Sequence, residues 1–256
     1  MLINVINVLP LFTIVLFRTA SMLFFSPLFK LLSVPVMVKI SLAVVVSLVL
    51  FPVVNSASYM IPESIIAFVL IIFKEIAIGF VVGYGATLMF GAFVVAGDLI
   101  SSEIGLQMAE MSDPLFGGEV NPVSQLIQML GLLLLLSING HHWIINSLVL
   151  SYKTVPISEF FWSGATMGKL MHLFEGLFVS AIKLAAPIMI IMSLIVVVTG
   201  IISRATPEIG ILMVVFPLKI LVGFLILAVT FPFMVRTMEY LLNILRKDLF
   251  GLVGGM

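Results

Sequence analysis

The 256-residue chain has 12 basic and 12 acidic residues, so its formal charge is zero, and 62% of its residues are hydrophobic while only 9% are charged. These proportions lie far outside those of soluble domains and are typical of an integral membrane protein. A chain without net positive charge has no basic field for nucleic acid, and the lack of cysteine excludes disulfides, thiolate metal sites and cysteine nucleophiles.

Long apolar runs predict an all-α fold in a single membrane domain over residues 1–256. A chain that crosses lipid must satisfy its backbone in helices or a closed barrel, and these runs do not alternate apolar and polar residues as barrel strands do. At roughly 20 residues per crossing, they predict five or six passes. The runs are Ile3 to Phe29, Ile40 to Val54, Ser64 to Ile100, Val123 to Leu150, Leu170 to Ser203 and Ile209 to Val235.

The run from Ser64 to Ile100 does not fit a simple serpentine topology. As one straight helix it would be about 55 Å long, well beyond a hydrocarbon core of about 30 Å, so it either folds back or partly leaves the bilayer. NGHHW at 139–143 predicts a helix end or a re-entrant turn, with Trp143 available for a membrane interface. The basic residues predicted to lie in the cytoplasm are Lys30, Lys39, Lys153, Lys169, Arg246 and Lys247.

Charged residues inside or beside the apolar runs are expected to face protein and not lipid. Each costs roughly 2.5 to 3.5 kcal/mol or more at a bilayer centre if it is unpaired. Glu75 is expected to pair with Lys183 or Lys219 from another helix, because its neighbour Lys74 points to a different side. Such a group is either a structural ion pair or part of a proton relay. The predicted buried charges are Arg18, Lys74, Glu75, Lys183, Arg204 and Lys219.

Small residues repeat at four-residue steps at Gly79, Gly83, Thr87 and Gly91, which places them on one helix face. Such a strip allows another backbone to approach closely, so it predicts dense helix packing. Prolines inside later apolar runs each remove a helix hydrogen bond and predict broken helices in a protein interior. These prolines are Pro187, Pro217 and Pro232.

The segment GLQMAEMSDPLFGGEVNP, residues 105–122, is a polar interruption between apolar runs. Its glycines permit large backbone rotations, and its Asp-Pro pair ends any helix. Met108 and Met111 would lie close together if that stretch were helical, and flexible thioethers pack against irregular surfaces. The residues alone leave open whether the segment is a movable gate or a passive connection.

No motif predicts an enzyme, a cofactor or a metal centre. GATMGK at 164–169 is one residue short of a phosphate-binding loop and lacks the Ser or Thr that would hold magnesium. His141 and His142 diverge on a helix, and His172 with Glu175 has no second ligand pair.

Several segments carry a resemblance to a known family over essentially the whole chain. They are Arg18; Pro27 and Pro35 with Lys39; Glu75-x3-Gly79-x3-Gly83; AGDLISSEIGLQMAEMSDP from Ala96; LSINGHHWIINSLVLSYKTVP from Leu136; LAAPIMIIM from Leu184; and RATPEIGILMVVFPLKILVG from Arg204. Their order and intervals resemble the FliR family, the R component of the flagellar type III export gate, which is similar to the T component of injectisomes. Met108 and Met111 stand where relatives often carry phenylalanine, and Glu208 replaces a frequent glutamine.

The resemblance implies a subunit of a helical cone in the bacterial inner membrane, at the flagellar basal body. The cone would contain FliP and FliQ, with FlhB near its entrance and FlhA below, and would conduct unfolded export substrates. The chain would combine a FliP-like part over about 1–200 with a FliQ-like helical hairpin over about 201–256. Membrane lipid would cover the remaining surface, and this subunit would perform no chemistry.

By the same resemblance, the loop from about Leu106 to Asn121 is a plug in the closed pore. Met108 and Met111 would form a hydrophobic gasket with Leu106, and Phe116 is a further candidate. The predicted plug residues are Leu106, Gln107, Met108, Ala109, Glu110, Met111, Ser112, Asp113, Pro114, Leu115, Phe116, Gly117 and Gly118.

Three other interpretations remain open. The chain could serve an injectisome instead of a flagellum. It could be an independent ion-coupled transporter that uses Lys74, Glu75 and Lys183 as an ion site. It could also be a purely structural scaffold whose loop has no gating role.

Overall fold

The structure is a computed structural model that describes residues 2–31, 34–52, 54, 62, 64–106, 121–160, 164–205 and 211–256. All regular secondary structure in these ranges is helical, which confirms the predicted all-α fold class. The helices are α1 (Leu2–Phe25), α2 (Pro27–Leu31), α3 (Val36–Leu50), α4 (Ile65–Ile104), α5 (Pro122–Ser137), α6 (Gly140–Thr154), α7 (Gly164–Ala205) and α8 (Ile211–Val253).

Three helices in the described ranges are long and apolar enough to cross a membrane: Ile65–Ile104, Gly164–Arg204 and Val215–Val253. Helices α5 and α6 meet the same criteria together but are bent by 71°, so the number of candidate spans is three or four. Helix α1 has 24 residues, but this count takes in only its shorter apolar stretch Leu9–Phe25, so the five or six passes predicted from the sequence stay a prediction. The 15-residue α3 is only about 22 Å long, shorter than a hydrocarbon core.

Helix α4 runs without interruption through 40 residues, including the Gly83-Tyr84-Gly85 stretch. Its length of about 60 Å is twice the thickness of a hydrocarbon core. The alternative in which this run folds back is therefore wrong. That part of α4 leaves the bilayer stays a prediction.

The prolines expected to break helices lie inside continuous helices. Pro187 lies within α7, and Pro217 and Pro232 lie within α8. The sharp break lies instead between α5 and α6, where Asn139 adopts a left-handed conformation with φ 57° and Gly140 begins the next helix. The helix end predicted at NGHHW is confirmed.

The chain forms two compact units that interleave along the sequence. The first comprises Met1–Met89, Leu136–Phe174 and Ile244–Met256, and the second comprises Phe90–Leu135 and Glu175–Asn243. From Ile211 onwards the region of the predicted FliQ-like hairpin is a single helix, so both arms of a hairpin do not lie within about 201–256. The division into FliP-like and FliQ-like parts stays a prediction.

Two small apolar clusters mark the interior of the first unit. In one, Leu11 and Ile14 of α1 pack with Ile157, which follows α6. In the other, Ile78 of α4 packs with Val155 and Phe160 of the same connection. The segment after α6 therefore contacts both α1 and α4.

Candidate functional site

The predicted plug lies almost entirely outside the described residues, which end at Leu106 and resume at Asn121. Leu106 follows the end of α4 and is half-buried, and Asn121 immediately precedes α5. The structure therefore describes the residues on either side of the loop but not the loop itself. The plug residues outside the described ranges are Gln107, Met108, Ala109, Glu110, Met111, Ser112, Asp113, Pro114, Leu115, Phe116, Gly117 and Gly118.

The first end of the loop is a glycine turn that packs against α8. Gly105 has φ +91°, and its N–H donates a hydrogen bond to the Ser101 carbonyl at 3.0 Å. An added Cβ at Gly223 of α8 would lie 2.6 Å from Cγ1 of Ile104, so the last turn of α4 sits directly against that glycine. The last turn of α4 is therefore fixed against α8, and the chain leaves it through a left-handed backbone conformation that favours glycine.

Replacing Gly105 with alanine is expected to destabilise this end of the loop by about 1 to 3 kcal/mol, because L-residues rarely adopt its backbone conformation. The cost comes from the backbone and not from crowding, since an added Cβ would lie 3.6 Å from the Phe216 ring, an ordinary contact. The thermal midpoint of the purified chain or its complex measures the effect. Gly164→Ala, where no atom in the described ranges lies within 4 Å of an added Cβ, is the control, and equal midpoints for both variants would contradict this expectation.

The second end of the loop is a capped helix start that touches α4. The Asn121 side-chain oxygen accepts a hydrogen bond from the Val123 N–H at 3.0 Å, which satisfies one free donor of the first turn. Ser124 Oγ donates to the Val94 carbonyl of α4 at 3.0 Å. An added Cβ at Gly97 would overlap the Cα of Ser124, so the backbones of α4 and α5 are in contact. We call residues 97–105 and 121–124 the stem of the loop.

Arg18 and Glu75 form a buried ion pair in the first unit. Arg18 Nε donates to Glu75 Oε2 at 2.5 Å, and both side chains are 0% exposed. The predicted pairing of Glu75 with Lys183 or Lys219 is therefore wrong. The reason is the close approach of α1 and α4 one turn away, where an added Cβ at Gly79 would overlap the Arg18 carbonyl.

The remaining predicted buried charges differ in their surroundings. Lys74 is half-buried and donates from Nζ to the Ser158 carbonyl at 3.0 Å, and Lys219 is also half-buried. Lys183 and Arg204 are exposed within this chain, so their burial against protein stays a prediction. Their aliphatic stems can cover apolar helix surface while the charge reaches water or headgroups, and Arg204 also lies in the last turn of α7, where a positive charge is favourable.

The small-residue strip of α4 faces α1 over its first three members. Added Cβ atoms at Gly79 and Gly83 would overlap backbone carbonyls of α1, and Thr87 Oγ1 donates to a third carbonyl there. Gly91, in the second unit, faces the side chain of Leu177 instead. The α1 partners are Arg18 for Gly79, Met22 for Gly83 and Phe25 for Thr87.

Four participants around the ion pair were not identified from the sequence, and one of them is the Ser151 hydroxyl, which accepts from Arg18 Nη1 at 3.4 Å. The Val155 carbonyl accepts hydrogen bonds from both Nη atoms of Arg18 at 3.2 Å, and the Ser158 N–H donates to Glu75 Oε1 at 3.2 Å. The Tyr152 ring centroid lies 4.2 Å from Arg18 Cζ. The available signal was SYKTVPIS, residues 151–158, a polar and proline-containing stretch that directly follows an apolar run.

The histidines noted in the sequence include one adjacent pair. The rings of His141 and His142 lie side by side, with centroids 4.3 Å apart, so the prediction that they diverge on the helix is wrong. The next residue in the sequence, Trp143, has its ring centroid 5.3 Å from Cζ of Arg246. No group of three or more histidine, aspartate or glutamate side chains in the described ranges is placed to hold a metal ion.

Comparison with known proteins identifies the family. Residues 9–244 match the family described as bacterial export proteins, family 1. The chain is similar to the flagellar biosynthetic protein FliR of Bacillus subtilis, with 27% identity over 88% of each chain. It is 29% identical to FliR of Pectobacterium carotovorum over 88% of this chain and 86% of the relative, and 27% identical to FliR of Escherichia coli over 89% and 87%. The chain therefore belongs to the bacterial export proteins, family 1, and the predicted membership of the FliR family is confirmed.

Proposed function

We propose that this protein is a component of the flagellar export apparatus that forms, with FliP and FliQ, the pore for unfolded flagellar proteins. The observation that carries the proposal is the family match from residue 9 to residue 244, which includes the central loop and both sides of its stem. The curated relatives named above are flagellar biosynthetic proteins, which favours the flagellar over the injectisome version. The pore would lie in the bacterial inner membrane at the flagellar basal body, next to FlhB and FlhA.

The exposed apolar surface of the long helices supports assembly with other helical subunits. In the most apolar 18-residue stretch of α7, only 17% is buried within this chain, and the same share applies to the corresponding stretch of α8. Val229 of α8 is 72% exposed and Ile201 of α7 is 66% exposed. Such faces need lipid or other apolar polypeptide, and the family resemblance favours sister subunits for most of them.

We propose that residues 106–118 plug the pore when no substrate is present. The stem supports this role, because contacts within the second unit hold both ends of the loop to fixed helices. The 14 residues at 107–120 would span at most about 45 to 50 Å when extended, which is long enough to lie across a passage or to move aside. A helical substrate is about 10 to 12 Å wide, so the loop must be displaced during export.

The plug would act by a shift of populations. Met108 and Met111, with Leu106 and Phe116, would form weak contacts on many sides, since thioethers adapt to irregular surfaces. A substrate that binds the open arrangement better than the closed one would favour opening, with no covalent step in this subunit. The energy for transport would come from the proton-motive force and an associated ATPase.

Deleting Met108 to Gly118 is expected to make assembled gates leak ions, because the closed passage would lose its obstruction. Conductance across membranes that contain the complete gate measures the effect, and it should rise from the lipid background to that of an aqueous pore about 10 Å wide. Gly168→Ala, at an exposed position beside Lys169, is the control made in the same gate, because no atom of the described residues lies within 4 Å of the added Cβ. Unchanged conductance in correctly assembled deletion gates would refute the plug.

The transporter alternative finds less support in the geometry. Its ion site required Lys183 beside Glu75, whereas Glu75 is bound by Arg18 and Lys183 is exposed. Co-purification with candidate FliP and FliQ subunits distinguishes the two functions, since a transporter would be stable and active alone. A scaffold, the third alternative, would tolerate a Gly/Ser linker in place of the loop without any leak.

A further inference from the structure

The buried charges of the first unit surround a piece of backbone that is not helical. Helix α6 ends at Thr154, Val155 is extended, and Ser158 adopts a left-handed conformation with φ 73°. Val155 and Ile157 are nevertheless buried, with 4% and 9% of their surfaces exposed. We call residues 155–158 the turn.

The turn is partly buried, since Pro156 is exposed and Ser158 half-buried, and its backbone lacks the regular partners that a helix supplies. In an apolar interior each unpaired N–H or C=O is costly, so irregular backbone is tolerated there only where other protein groups satisfy it. Part of this need is met locally, because the Val155 N–H donates to the Ser151 carbonyl at 3.0 Å and the Glu159 N–H donates to the Pro156 carbonyl at 3.2 Å. The Val155 carbonyl and the N–H and carbonyl of Ser158 take their partners from other helices.

Three charged side chains of α1 and α4 provide these partners. Arg18 donates to the Val155 carbonyl from both of its Nη atoms at 3.2 Å. Glu75 accepts from the Ser158 N–H at 3.2 Å, and Lys74 donates to the Ser158 carbonyl at 3.0 Å. The consecutive residues Lys74 and Glu75 therefore bind the carbonyl and the N–H of the same residue, one that adopts an unusual backbone conformation.

Arginine suits the central position of this arrangement better than lysine. Its planar fork reaches Glu75 with Nε while both Nη atoms face the Val155 carbonyl, and the same plane stacks on Tyr152. Tyr152 in turn donates its hydroxyl to the Val15 carbonyl of α1 at 3.1 Å. The guanidinium thus connects α1, α4, the last turn of α6 and the turn itself.

We propose that Arg18, Lys74 and Glu75 form a clamp whose purpose is to hold the backbone of the turn between α1 and α4, and that the ion pair is secondary to that purpose. Charge-assisted hydrogen bonds are roughly twice as strong as neutral ones, which suits a segment without regular structure. The apolar contacts of Ile157 with α1 and of Val155 with α4 fit the same position. The clamp fixes where the chain leaves α6 on its way to α7.

The double variant Arg18→Met with Glu75→Leu tests the proposal. Replacing a bare buried ion pair with apolar residues of similar volume is often neutral or stabilising. The clamp predicts the opposite, because the buried Val155 carbonyl and the half-buried Ser158 N–H would both lose their charged partners. We expect the amount of folded full-length chain in the membrane to fall at least about tenfold. Lys183→Met, the same kind of substitution at an exposed position, should leave that amount unchanged.

The charge exchange Arg18→Glu with Glu75→Arg is a second, independent test of the clamp. An ion pair alone should be restored by the exchange. In the clamp, the new carboxylate would face the Val155 carbonyl and the new guanidinium would face the Ser158 N–H, so the folded amount should stay as low as in the double apolar variant. Wild-type levels in either double variant would overturn the proposal.

A labelling measurement locates the defect in the turn. The chain has no cysteine, so Ile157→Cys gives a single thiol, which should be protected from a membrane-permeant maleimide while the clamp is intact. Adding Arg18→Lys keeps a positive charge near Glu75 but removes the fork from Val155. The labelled fraction of membrane-inserted chain should then rise several-fold. Equal labelling of the Ile157→Cys chain with and without Arg18→Lys would count against the clamp.

Discussion

Replacing Gly83 with alanine is expected to reduce the folded chain severely, because the added Cβ would overlap the Met22 carbonyl and lie 3.1 Å from the Cα and carbonyl carbon of the same residue. These are backbone atoms, so relief requires α1 and α4 to separate. Overpacking of this kind costs about 1 to 3 kcal/mol or more. Gly79→Ala should behave similarly, and the two together should abolish folding. The thermal midpoint and the amount of chain in the membrane report the loss.

Gly176→Ala supplies the matched control for Gly83→Ala. Gly176 also lies within a long helix, but among the described residues no neighbouring atom comes within 4 Å of an added Cβ. Alanine favours helix over glycine by up to about 1 kcal/mol, so this variant should be unchanged or slightly more stable. If the Gly83 and Gly176 variants melted at the same temperature, the close packing of α1 on α4 would be wrong.

Replacing Gly97 with alanine is expected to disturb the stem of the central loop. The added Cβ would overlap the Cα of Ser124 and lie 2.9 Å from its Cβ, so α4 and α5 must move apart at the position where Ser124 also bonds to Val94. The expected cost is again about 1 to 3 kcal/mol. Because the loop begins and ends on these two helices, assembled gates should also leak ions although every plug residue is present.

Conductance of assembled gates measures the effect of Gly97→Ala, beside the thermal midpoint. Gly168→Ala, at an exposed position where the described part of the chain brings no atom within 4 Å of an added Cβ, is the control for both readings. A lower midpoint with a tight gate would show that the stem stabilises the fold but does not position the plug. A normal midpoint with a tight gate would contradict the contact between the two helices.

The buried ion pair shows where sequence reasoning about this chain stops. Hydropathy identified Arg18 and Glu75 as charges that need protein around them, and the structure places both at 0% exposure. Hydropathy could not identify the two residues as partners, because they are separated by 57 positions and their pairing depends on which helices meet. The four-residue spacing of Gly79 and Gly83 predicted a close helix neighbour without indicating that this neighbour was α1.

Composition and the pattern of its apolar runs by themselves determined that this protein is an all-α membrane protein, since lipid permits only helices or a closed barrel and the runs do not alternate as barrel strands do. The spacing of its motifs determined the family, and glycine, proline and acidic residues marked the central loop as a distinct segment. Only the tertiary structure decided that α4 is one continuous helix, that Lys183 and Arg204 are exposed, and that Arg18 binds the Val155 carbonyl. Helical periodicity shows which face of a helix is apolar, but it does not show which neighbour covers that face. A hydrogen bond to a backbone carbonyl is also invisible in the sequence, because every residue has the same carbonyl.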